Sequence, residues 1–276
     1  MTDAANLLDP KSHFEFGKNW ASYAQLVSEA HVQEAVHALQ RLAGSDLRGK
    51  RVLDIGCGSG LHALAALRLG AREVVALDID ADSVATTQQL LQTRAAGQPW
   101  STRQASVFDL ATDCPHQFDV VYSWGVLHHT GDMYRALRAA TELVMPRGQF
   151  IFALYRRTPL CWLWKREKKW YAGASPVAQA RARSVYVGMF RCALSMTRGR
   201  RGFSTYVAAY GRQRGMDFYH DVHDWLGGWP YESISPARTE RFMSSLGFSR
   251  VRAFTRGGFK LGLFGTGCDE YVYARR

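Results

Sequence analysis

Short apolar runs alternate with longer segments of helical spacing from residue 51 onward. The apolar runs predict five strands, of which the third is the weakest, at 51–55, 73–80, 102–106, 118–124 and 149–155. The spacing of apolar residues between these runs predicts helices at 61–69, 82–92 and 133–144. Nearly continuous apolar strands that alternate with helices are typical of a parallel sheet covered on both faces. Because crossovers between parallel strands are right-handed, we expect a doubly wound α/β sheet.

The same pattern resumes near the end of the chain. A helix is predicted at 236–246, followed by strands at 248–255 and 270–274, which brings the mostly parallel sheet to seven strands. A helical region at about 12–43 precedes the sheet. We therefore divide the chain into three units, which are N-terminal helices with the core (1–155), an insertion (156–235), and a helix and strands that complete the sheet (236–276).

The charge of the chain is concentrated in the insertion. The formal net charge is +11, and residues 156–201 hold twelve Lys and Arg against the single acid Glu167. Tryptophans 162, 164 and 170 alternate with these basic residues. A basic and aromatic segment predicts an anionic partner, which leaves nucleic acid, membrane headgroups and an anionic small molecule open.

Several classes of protein are excluded by composition. A hydrophobic content of 47% argues against a disordered chain. The N-terminal residues show no signal peptide, and no apolar run reaches the length of a membrane span. Five widely spaced cysteines without a CxxC pair indicate neither a disulfide framework nor a zinc site. We expect a cytoplasmic protein.

A glycine-rich turn, GCGSG at 56–60, directly follows the first predicted strand. Glycines permit unusual backbone angles and lack a Cβ, so an adenosine-bearing ligand can lie against the chain there. Asp54 can reach a ligand ammonium but would repel a pyrophosphate, which argues against NAD. The second strand ends at Asp78, where an acid can accept both ribose hydroxyls, with Asp80 as a second candidate.

Five motifs in this order resemble those of one family, and they read VLDIGCGSG, LDID, ASVFDL, FDVVYSWGVLHHTGDMYRAL and VMPRGQFIF. The family is the class I S-adenosylmethionine (SAM) dependent methyltransferases, in particular the small-molecule subgroup that includes ubiquinone-type methylases. The resemblance covers about 50–155 and implies a Rossmann-like fold, SAM as cofactor, and methyl transfer to an O, N or C atom of a small molecule. That acceptor could be anionic, aromatic or lipidic.

The resemblance also implies which residues contact the cofactor. Asp78 would bind the ribose hydroxyls, Ser123 or Trp124 would border the sulfonium, and Arg147 replaces the first glycine of the family's turn into strand five. Trp20 and Tyr23 either meet the methionine end or pack their helix onto the sheet. The predicted cofactor-binding set is Trp20, Tyr23, Asp54, Gly56, Cys57, Gly58, Gly60, Asp78, Ile79, Val107, Phe108, Asp109, Ser123 and Trp124.

Histidines near the predicted substrate end are candidates for a general base. His128 follows the fourth strand, and His220 and His223 lie in an aromatic cluster of the insertion. The alternative for His128 is a structural role in a turn. Aspartates 217, 221 and 224 can orient a histidine or act as bases themselves. The HxxHD spacing at 220–224 suggests a metal, but the HExxH pattern is absent, so we predict no metal site.

The insertion is expected to form a helical, basic lid over the acceptor. Two other functions stay open, a nucleic-acid methyltransferase and a non-catalytic SAM-binding protein. The segment Ser123-Trp124-Gly125 lacks the Pro-Pro motif of enzymes that methylate exocyclic amines of nucleic acids, which argues against nucleic acid. An intact glycine turn and ribose acid argue against a non-catalytic protein. Tryptophan beside lysine also suits peripheral contact with a membrane.

Overall fold

The computed structural model describes residue 14 and residues 16–109, 118–214, 217–255 and 261–276. Within these residues seven strands form one sheet, with the spatial order β3-β2-β1-β4-β5-β7-β6. The strands are β1 Arg51–Ile55, β2 Glu73–Asp78, β3 Trp100–Gln104, β4 Phe118–Trp124, β5 Val144–Tyr155, β6 Phe248–Phe254 and β7 Cys268–Arg275. The order reverses between β1 and β4, which places the topological switch point there.

The first five strands run parallel, and β7 is antiparallel to both β5 and β6. This topology confirms the predicted doubly wound, mostly parallel, seven-stranded sheet. Strand β5 begins at Val144, five residues earlier than the pattern predicts, because its first residues pair with the start of β4 across a register shift.

Helices cover both faces of the sheet. They are α1 Phe16–Ala24, α2 Glu29–Ala43, α3 Leu61–Arg68, α4 Ala81–Arg94, α5 Met133–Glu142, α6 Cys161–Ala172, α7 Pro176–Arg198, α8 Gly202–Arg214, α9 Phe218–Gly227 and α10 Pro236–Ser245. Helices α6 to α9 occupy the predicted insertion. A short 3₁₀ helix, Leu127–His129, follows β4.

The core consists of two apolar layers, one on each face of the sheet. Successive side chains of a strand point to opposite faces, so Val52 packs in the layer beneath α2 and α3, whereas Leu53 and Ile55 pack in the layer beneath α5. All three are at most 2% exposed. Burial on both faces accounts for the continuous apolar runs in the sequence.

The insertion has an apolar cluster of its own, built mainly from aromatic rings. Tyr186 of α7 is buried in this cluster, and Phe190 packs against it. Val185, Met189 and Met196 lie on another side of α7 and are 63%, 52% and 87% exposed. Val185, Met189 and Met196, which follow one another at helical spacing, therefore form a solvent-facing apolar stripe, and the helix packs through its aromatic residues instead.

Candidate active site

A cavity of about 780 Å³ opens at the carboxyl ends of β1, β2 and β4. This position, beside the switch point, is where doubly wound sheets bind ligands. The sheet side of the cavity is lined by Gly56, Cys57, Gly58, Ser59, Asp78, Ile79, Asp80, Trp124 and Gly125. The opposite side comes from α1, from the aromatic cluster of the insertion and from residues 264–268.

The glycine turn after β1 is held close to the end of β2. The backbone N–H groups of Gly56 and Cys57 both donate to the Leu77 carbonyl, at 2.8 and 3.0 Å. Gly58 has a φ of +52°, and a Cβ there would lie 3.1 Å from the Trp20 ring. Glycine is therefore required at 58 both by the backbone conformation and by the approach of α1.

Asp78 lies at the end of β2 with both carboxylate oxygens facing backbone donors. Gly58 N–H donates to Oδ2 at 3.1 Å and Asp80 N–H donates to Oδ1 at 3.0 Å. A carboxylate oxygen can accept two hydrogen bonds, so each oxygen retains capacity for a ribose hydroxyl. Burial raises the pKa of Asp78 to about 6.

Asp54, near the end of β1, is a buried acid that lacks a full set of partners. Its Oδ2 atom has no hydrogen-bond partner among the described residues, and the side chain is 4% exposed. Burial, followed by the charge of Asp78, raises the pKa of Asp54 to about 7. A buried acceptor without a donor is costly, and a ligand ammonium would satisfy it.

Helix α1 lies over the glycine turn and the end of β2. Trp20 and Tyr23 both line the cavity, and both also pack in the core layer beneath α2 and α3, so their contact with a cofactor stays a prediction. Tyr23 is 1% exposed, and burial, with the charge of Asp217, raises its pKa to about 12. A Cβ on Gly17 would overlap the Asp80 carboxylate, so the helix can approach this closely only with glycine at 17.

Val107, Phe108 and Asp109, three members of the predicted cofactor-binding set, do not line this cavity. Val107 is buried in the core layer beneath α5, and Phe108 is covered by the Arg135 guanidinium at 4.4 Å from its centroid. The Asp109 side chain is exposed. Ile79 and Asp80 form the cavity wall at this end instead.

Gly60, Ser123 and Trp124 also belong to the predicted cofactor-binding set, and of these three only Trp124 lines the cavity. Gly60 packs against Thr87 rather than lining the cavity. Ser123 is buried and donates to the Ile55 carbonyl at 3.1 Å, whereas Trp124, pointing to the other face of the sheet, lines the cavity. The Trp124 Nε1–H donates to Glu270 at 3.0 Å, which fixes its ring.

The structure brings none of the three predicted histidines to the cavity wall. His128 is fully buried with its ring 4.0 Å from that of Tyr155, and neither ring nitrogen has a hydrogen-bond partner among the described residues. Burial lowers the pKa of His128 well below its usual value. An uncharged, enclosed imidazole fits the structural role considered for this turn.

His220 and His223 bind neighbouring side chains instead. His220 Nδ1 lies 2.9 Å from Asp217. The Tyr171 hydroxyl lies 2.8 Å from Nδ1 of His223, and the Arg183 guanidinium lies 3.1 Å from the same atom. Burial, with the charge of Arg183, lowers the pKa of His223 to about 4.

Two histidines outside the predicted catalytic set, His62 and His129, line the cavity. His129 has Nδ1 2.7 Å from the Pro230 carbonyl, so this nitrogen carries the proton. His62 lies in the first turn of α3 with its ring 5.0 Å from that of Tyr122, and burial lowers its pKa to about 4. The position of His62 directly after the glycine turn was the available sequence signal.

The basic residues of the insertion are largely absent from this cavity. In the described part of the chain, the cavity wall contains no Lys or Arg. Arg157 and Lys165 line a second cavity of about 350 Å³, together with Cys161 and Tyr231. The basic residues of the insertion therefore do not line this cavity in the described part of the chain, and the role of the insertion as a lid over the acceptor stays a prediction.

Two further sequence expectations concern ions and membranes. The described ranges contain no group of three or more His, Cys, Asp or Glu side chains placed to hold a metal. Among the helices described, none is both long and apolar enough to cross a membrane.

The sheet order, the glycine turn and the acid at the end of β2 define a Rossmann-like class I methyltransferase fold. Residues 27–189, more than half of the chain, match the family described as methyltransferase domain. The chain therefore belongs to the methyltransferase domain family, which confirms the resemblance seen in its motifs.

Curated relatives match part of the chain. It is 36% identical over 119 residues to the ubiquinone biosynthesis O-methyltransferase of Pseudomonas syringae pv. tomato, which is 43% of this chain and 50% of that protein. It is 37% identical over 114 residues to the same enzyme of Xanthomonas euvesicatoria pv. vesicatoria, or 41% and 46%. The chain thus spans about half the length of the curated relatives it matches.

Solved structures share the fold over most of the chain. Magnesium protoporphyrin IX methyltransferase from Synechocystis PCC 6803, with bound SAM, matches with a TM-score of 0.51 and 17% identity, over 90% of this chain and 80% of that one. A SAM-dependent methyltransferase of Listeria monocytogenes, described as putative, matches with 0.51 and 14%, over 88% and 99%. At these identities the likeness concerns the fold.

Proposed function

We propose that this chain is a SAM-dependent methyltransferase that methylates a small-molecule acceptor. The observation that carries the proposal is the buried Asp54 oxygen without a partner, beside a glycine turn and an acid that retains acceptor capacity. These carboxylate acceptors fit the ammonium and the ribose hydroxyls of SAM. The names of the curated relatives and of the solved structures support the same reaction.

SAM supplies a methyl group that is already activated by its sulfonium. Asp54 would pair with the ammonium and Asp78 with the ribose hydroxyls, while Trp124, fixed by Glu270, would form the wall beside the reacting methyl. Helix α1 and the helices of the insertion line the cavity, and with both ligands bound they would limit the access of water to the reacting methyl, which favours an in-line displacement.

Calorimetry with SAM and with S-adenosylhomocysteine (SAH) tests the cofactor. We expect the wild type to bind both, and Asp54→Asn and Asp78→Asn to weaken both by about tenfold or more, since a charge-assisted hydrogen bond is lost. Glu142→Gln, an exposed acid on α5, should bind as the wild type does. No heat with either ligand would overturn the proposal.

Catalytic roles for His128, His220 and His223 remain predictions, and their placement away from the cavity does not favour them. Single substitutions by glutamine test each role through turnover at saturating acceptor. Unchanged turnover in all three variants would exclude them as bases.

Release of SAH with a small acceptor separates an enzyme from a non-catalytic SAM-binding protein. The salt dependence of substrate binding tests the remaining alternative, a nucleic-acid methyltransferase, because binding to a phosphate backbone weakens steeply with ionic strength. We expect methyl transfer to a small molecule to change little with salt. A nucleic-acid methyltransferase would lose affinity for its substrate by orders of magnitude.

We also propose that the insertion contacts anionic membrane surfaces. Trp162 and Trp170 are 56% and 54% exposed on α6, and the solvent-facing stripe of α7 adds Met189 and Met196. These apolar side chains lie in a segment with twelve basic residues and one acid. Exposed apolar side chains within a basic segment favour peripheral binding to anionic lipid.

A further inference from the structure

His62 is a residue of the cavity wall to which the proposed function gives no role. It is the second residue of α3, directly after the glycine turn, and it lines the cavity together with Ser59 and Leu61. The ring of His62 packs on the ring of Tyr122, with 5.0 Å between the centroids and 38° between the planes. The imidazole therefore lies on the glycine-turn side of the cavity, where the cofactor is proposed to bind.

Two contacts bring His62 and Asp54 to the same end of the cavity. The backbone N–H of Ala63, the residue after His62, donates a hydrogen bond to the Asp54 carboxylate. Burial raises the pKa of Tyr122, the ring neighbour of His62, well above its usual value, and the charge of Asp54 adds to this effect. Tyr122 therefore lies close to both residues. A ligand group that reaches Oδ2 of Asp54, which has no partner among the described residues, lies near the His62 ring as well.

The charged groups around His62 suit a cation better than an anion. Glu270 of β7 is near enough to His62 for its charge to act on the ring. Glu270 is paired with Arg41 at 2.7 Å and accepts a hydrogen bond from Trp124 Nε1–H at 3.0 Å. In the described part of the chain, no Lys or Arg lines the cavity. A carboxylate beside His62 would therefore meet no cation of the wall, whereas an ammonium would meet Asp54.

The imidazole of His62 is a hydrogen-bond acceptor at neutral pH. Burial lowers the pKa of His62 to about 4, although the charge of Glu270 acts in the opposite direction. One nitrogen of a neutral imidazole keeps its lone pair and accepts, whereas a protonated ring only donates. An ammonium has three N–H donors, so Oδ2 of Asp54 alone does not satisfy it. A second acceptor on the same side of the cavity would.

We propose that His62 binds the methionine ammonium of SAM, through a hydrogen bond from the ammonium to a ring nitrogen, beside the carboxylate of Asp54. This inference rests on the proposed function and adds one cofactor-binding residue to it. A neutral second acceptor holds the ammonium without the burial of a further charge. Because the methionine chain joins the ammonium to the sulfonium, fixing one end restricts the position of the other end and of the methyl group.

Two analogues of SAH separate an ammonium contact from other roles of His62. Deamino-SAH lacks the amino group and keeps the carboxylate, whereas decarboxy-SAH lacks the carboxylate and keeps the amino group. His62→Phe removes the ring nitrogens and keeps an aromatic ring against Tyr122. Calorimetry at about pH 8 measures each affinity with Asp54 ionised, because the pKa of Asp54 in the free protein is about 7.

We expect His62→Phe to weaken the binding of SAH and of decarboxy-SAH by about tenfold each, since a hydrogen bond to a charged group is lost. Its affinity for deamino-SAH should equal that of the wild type. A loss of the same size for deamino-SAH would show that His62 acts through packing. A loss for SAH and deamino-SAH but not for decarboxy-SAH would show a carboxylate contact. Either result would overturn the inference, as would unchanged affinity for SAH.

His37→Phe is the matched control, because His37 is an exposed histidine of α2 that lies outside the cavity wall. This variant should bind all three ligands as the wild type does. If His62→Phe fails to fold, His62→Met replaces it, since the flexible methionine side chain adapts to irregular spaces and also lacks the ring nitrogens. The same pattern of losses across the three ligands is expected.

A double variant tests whether His62 and Asp54 hold the same group. His62→Phe combined with Asp54→Asn should lose less SAH affinity than the product of the two single losses, because each single change already disturbs the one ammonium. Losses that multiply would contradict a shared ammonium.

The outcome also separates this inference from the proposed function. A wild type that binds neither SAM nor SAH would overturn the proposed function and the inference together. A wild type that binds SAH, with a His62→Phe variant of equal affinity, would overturn only the role of His62.

Discussion

Asp54 and Asp78 are two buried carboxyls whose pKa values are both raised, mainly by burial. A folded protein gains nothing from such groups in the absence of a ligand, since an ionised carboxylate is less stable there than in water. Their value lies in binding, where an ammonium and two hydroxyls satisfy them. The two residues therefore lower the stability of the ligand-free protein, and they raise its affinity for a ligand that pairs with them.

Replacing Asp54 by Asn should stabilise the ligand-free protein at alkaline pH. The folded pKa of about 7 exceeds the ordinary aspartate value of 3.8, so the folded state holds a proton that the unfolded state has lost between these values. Stability is therefore lost as the pH rises through this window. At pH above about 7, thermal unfolding of Asp54→Asn should show a gain of at least about 1 kcal/mol.

At pH below the usual range of aspartate, the variant and the wild type should unfold alike, which is the internal control. A variant that is less stable than the wild type at alkaline pH would contradict the unpartnered state of this side chain.

The affinity for SAM should fall as the pH is lowered. Pairing with an ammonium favours the ionised form of Asp54, so binding releases the proton that the free protein holds below its pKa of about 7. Calorimetry should show affinity falling by up to about tenfold per pH unit below that value. Asp54→Asn should lose this slope near pH 7, whereas Glu142→Gln should keep the wild-type profile. A flat wild-type profile would exclude the pairing.

Helix α1 is the element that closes the cofactor side of the cavity. Its contacts with the core depend on small distances at Gly17 and at Trp20, which lies against Gly58. Because Gly17 faces the Asp80 carboxylate, one added methyl group at 17 must displace either the helix or the acid that caps α4.

Gly17→Ala should therefore weaken SAM binding by about tenfold, through overpacking at this contact. Gly188→Ala is a matched control, because Gly188 lies within α7 and a Cβ there would meet nothing within 4 Å. The control should bind SAM normally and gain about 1 kcal/mol of stability from its higher helix propensity. Equal SAM affinity in the two variants would show that α1 does not close over the cofactor.

The strands were predictable from the sequence because burial on both faces of the sheet gives each strand a nearly continuous run of apolar residues. The turn before the main part of β5 was predictable by resemblance, and Arg147 there adopts a φ of +65°, the conformation that a glycine normally provides. The orientation of α7 was not predictable, because both its aromatic side and its aliphatic side are apolar. Only the tertiary packing decides that Tyr186 is buried and Met189 exposed.

The candidate site was predictable in its backbone part and less so in its side chains. Gly56, Gly58 and Asp78 follow directly from strand ends, whose positions the pattern fixes. The sequence could not decide which way Val107 and His128 point, because a residue near a strand end can point either into the core or into the cavity. Their burial depends on α5 and Tyr155, which are distant in sequence.

The acidic and basic residues of the molecule are distributed unevenly between the cavity wall and the insertion. The described cavity wall carries acids and no Lys or Arg, whereas the insertion carries the excess of basic residues. A basic exterior attracts an anionic surface without competing for the ligand in the cavity. Membrane contact by the insertion is therefore compatible with ligand binding in the cavity.

Co-sedimentation with vesicles should show binding to anionic phosphatidylglycerol and little binding to phosphatidylcholine. Met189→Glu should reduce this binding several-fold, because it places a negative charge on the exposed stripe. Leu26→Glu is the matched control, since Leu26 is 51% exposed and Met189 is 52% exposed. Equal losses in the two variants, or no binding by the wild type, would contradict a membrane contact at α7.

The hydrogen bond from Asn19 to Asp224 joins α1 to α9, two helices that line different parts of the cavity. We expect binding in one part of the cavity to affect binding in the other through this contact. Thermodynamic reciprocity then requires that methyl donor and acceptor change each other's dissociation constant by one common factor. An inhibitor that bridges both halves would gain from this cooperativity, whereas one that fills a single half would not.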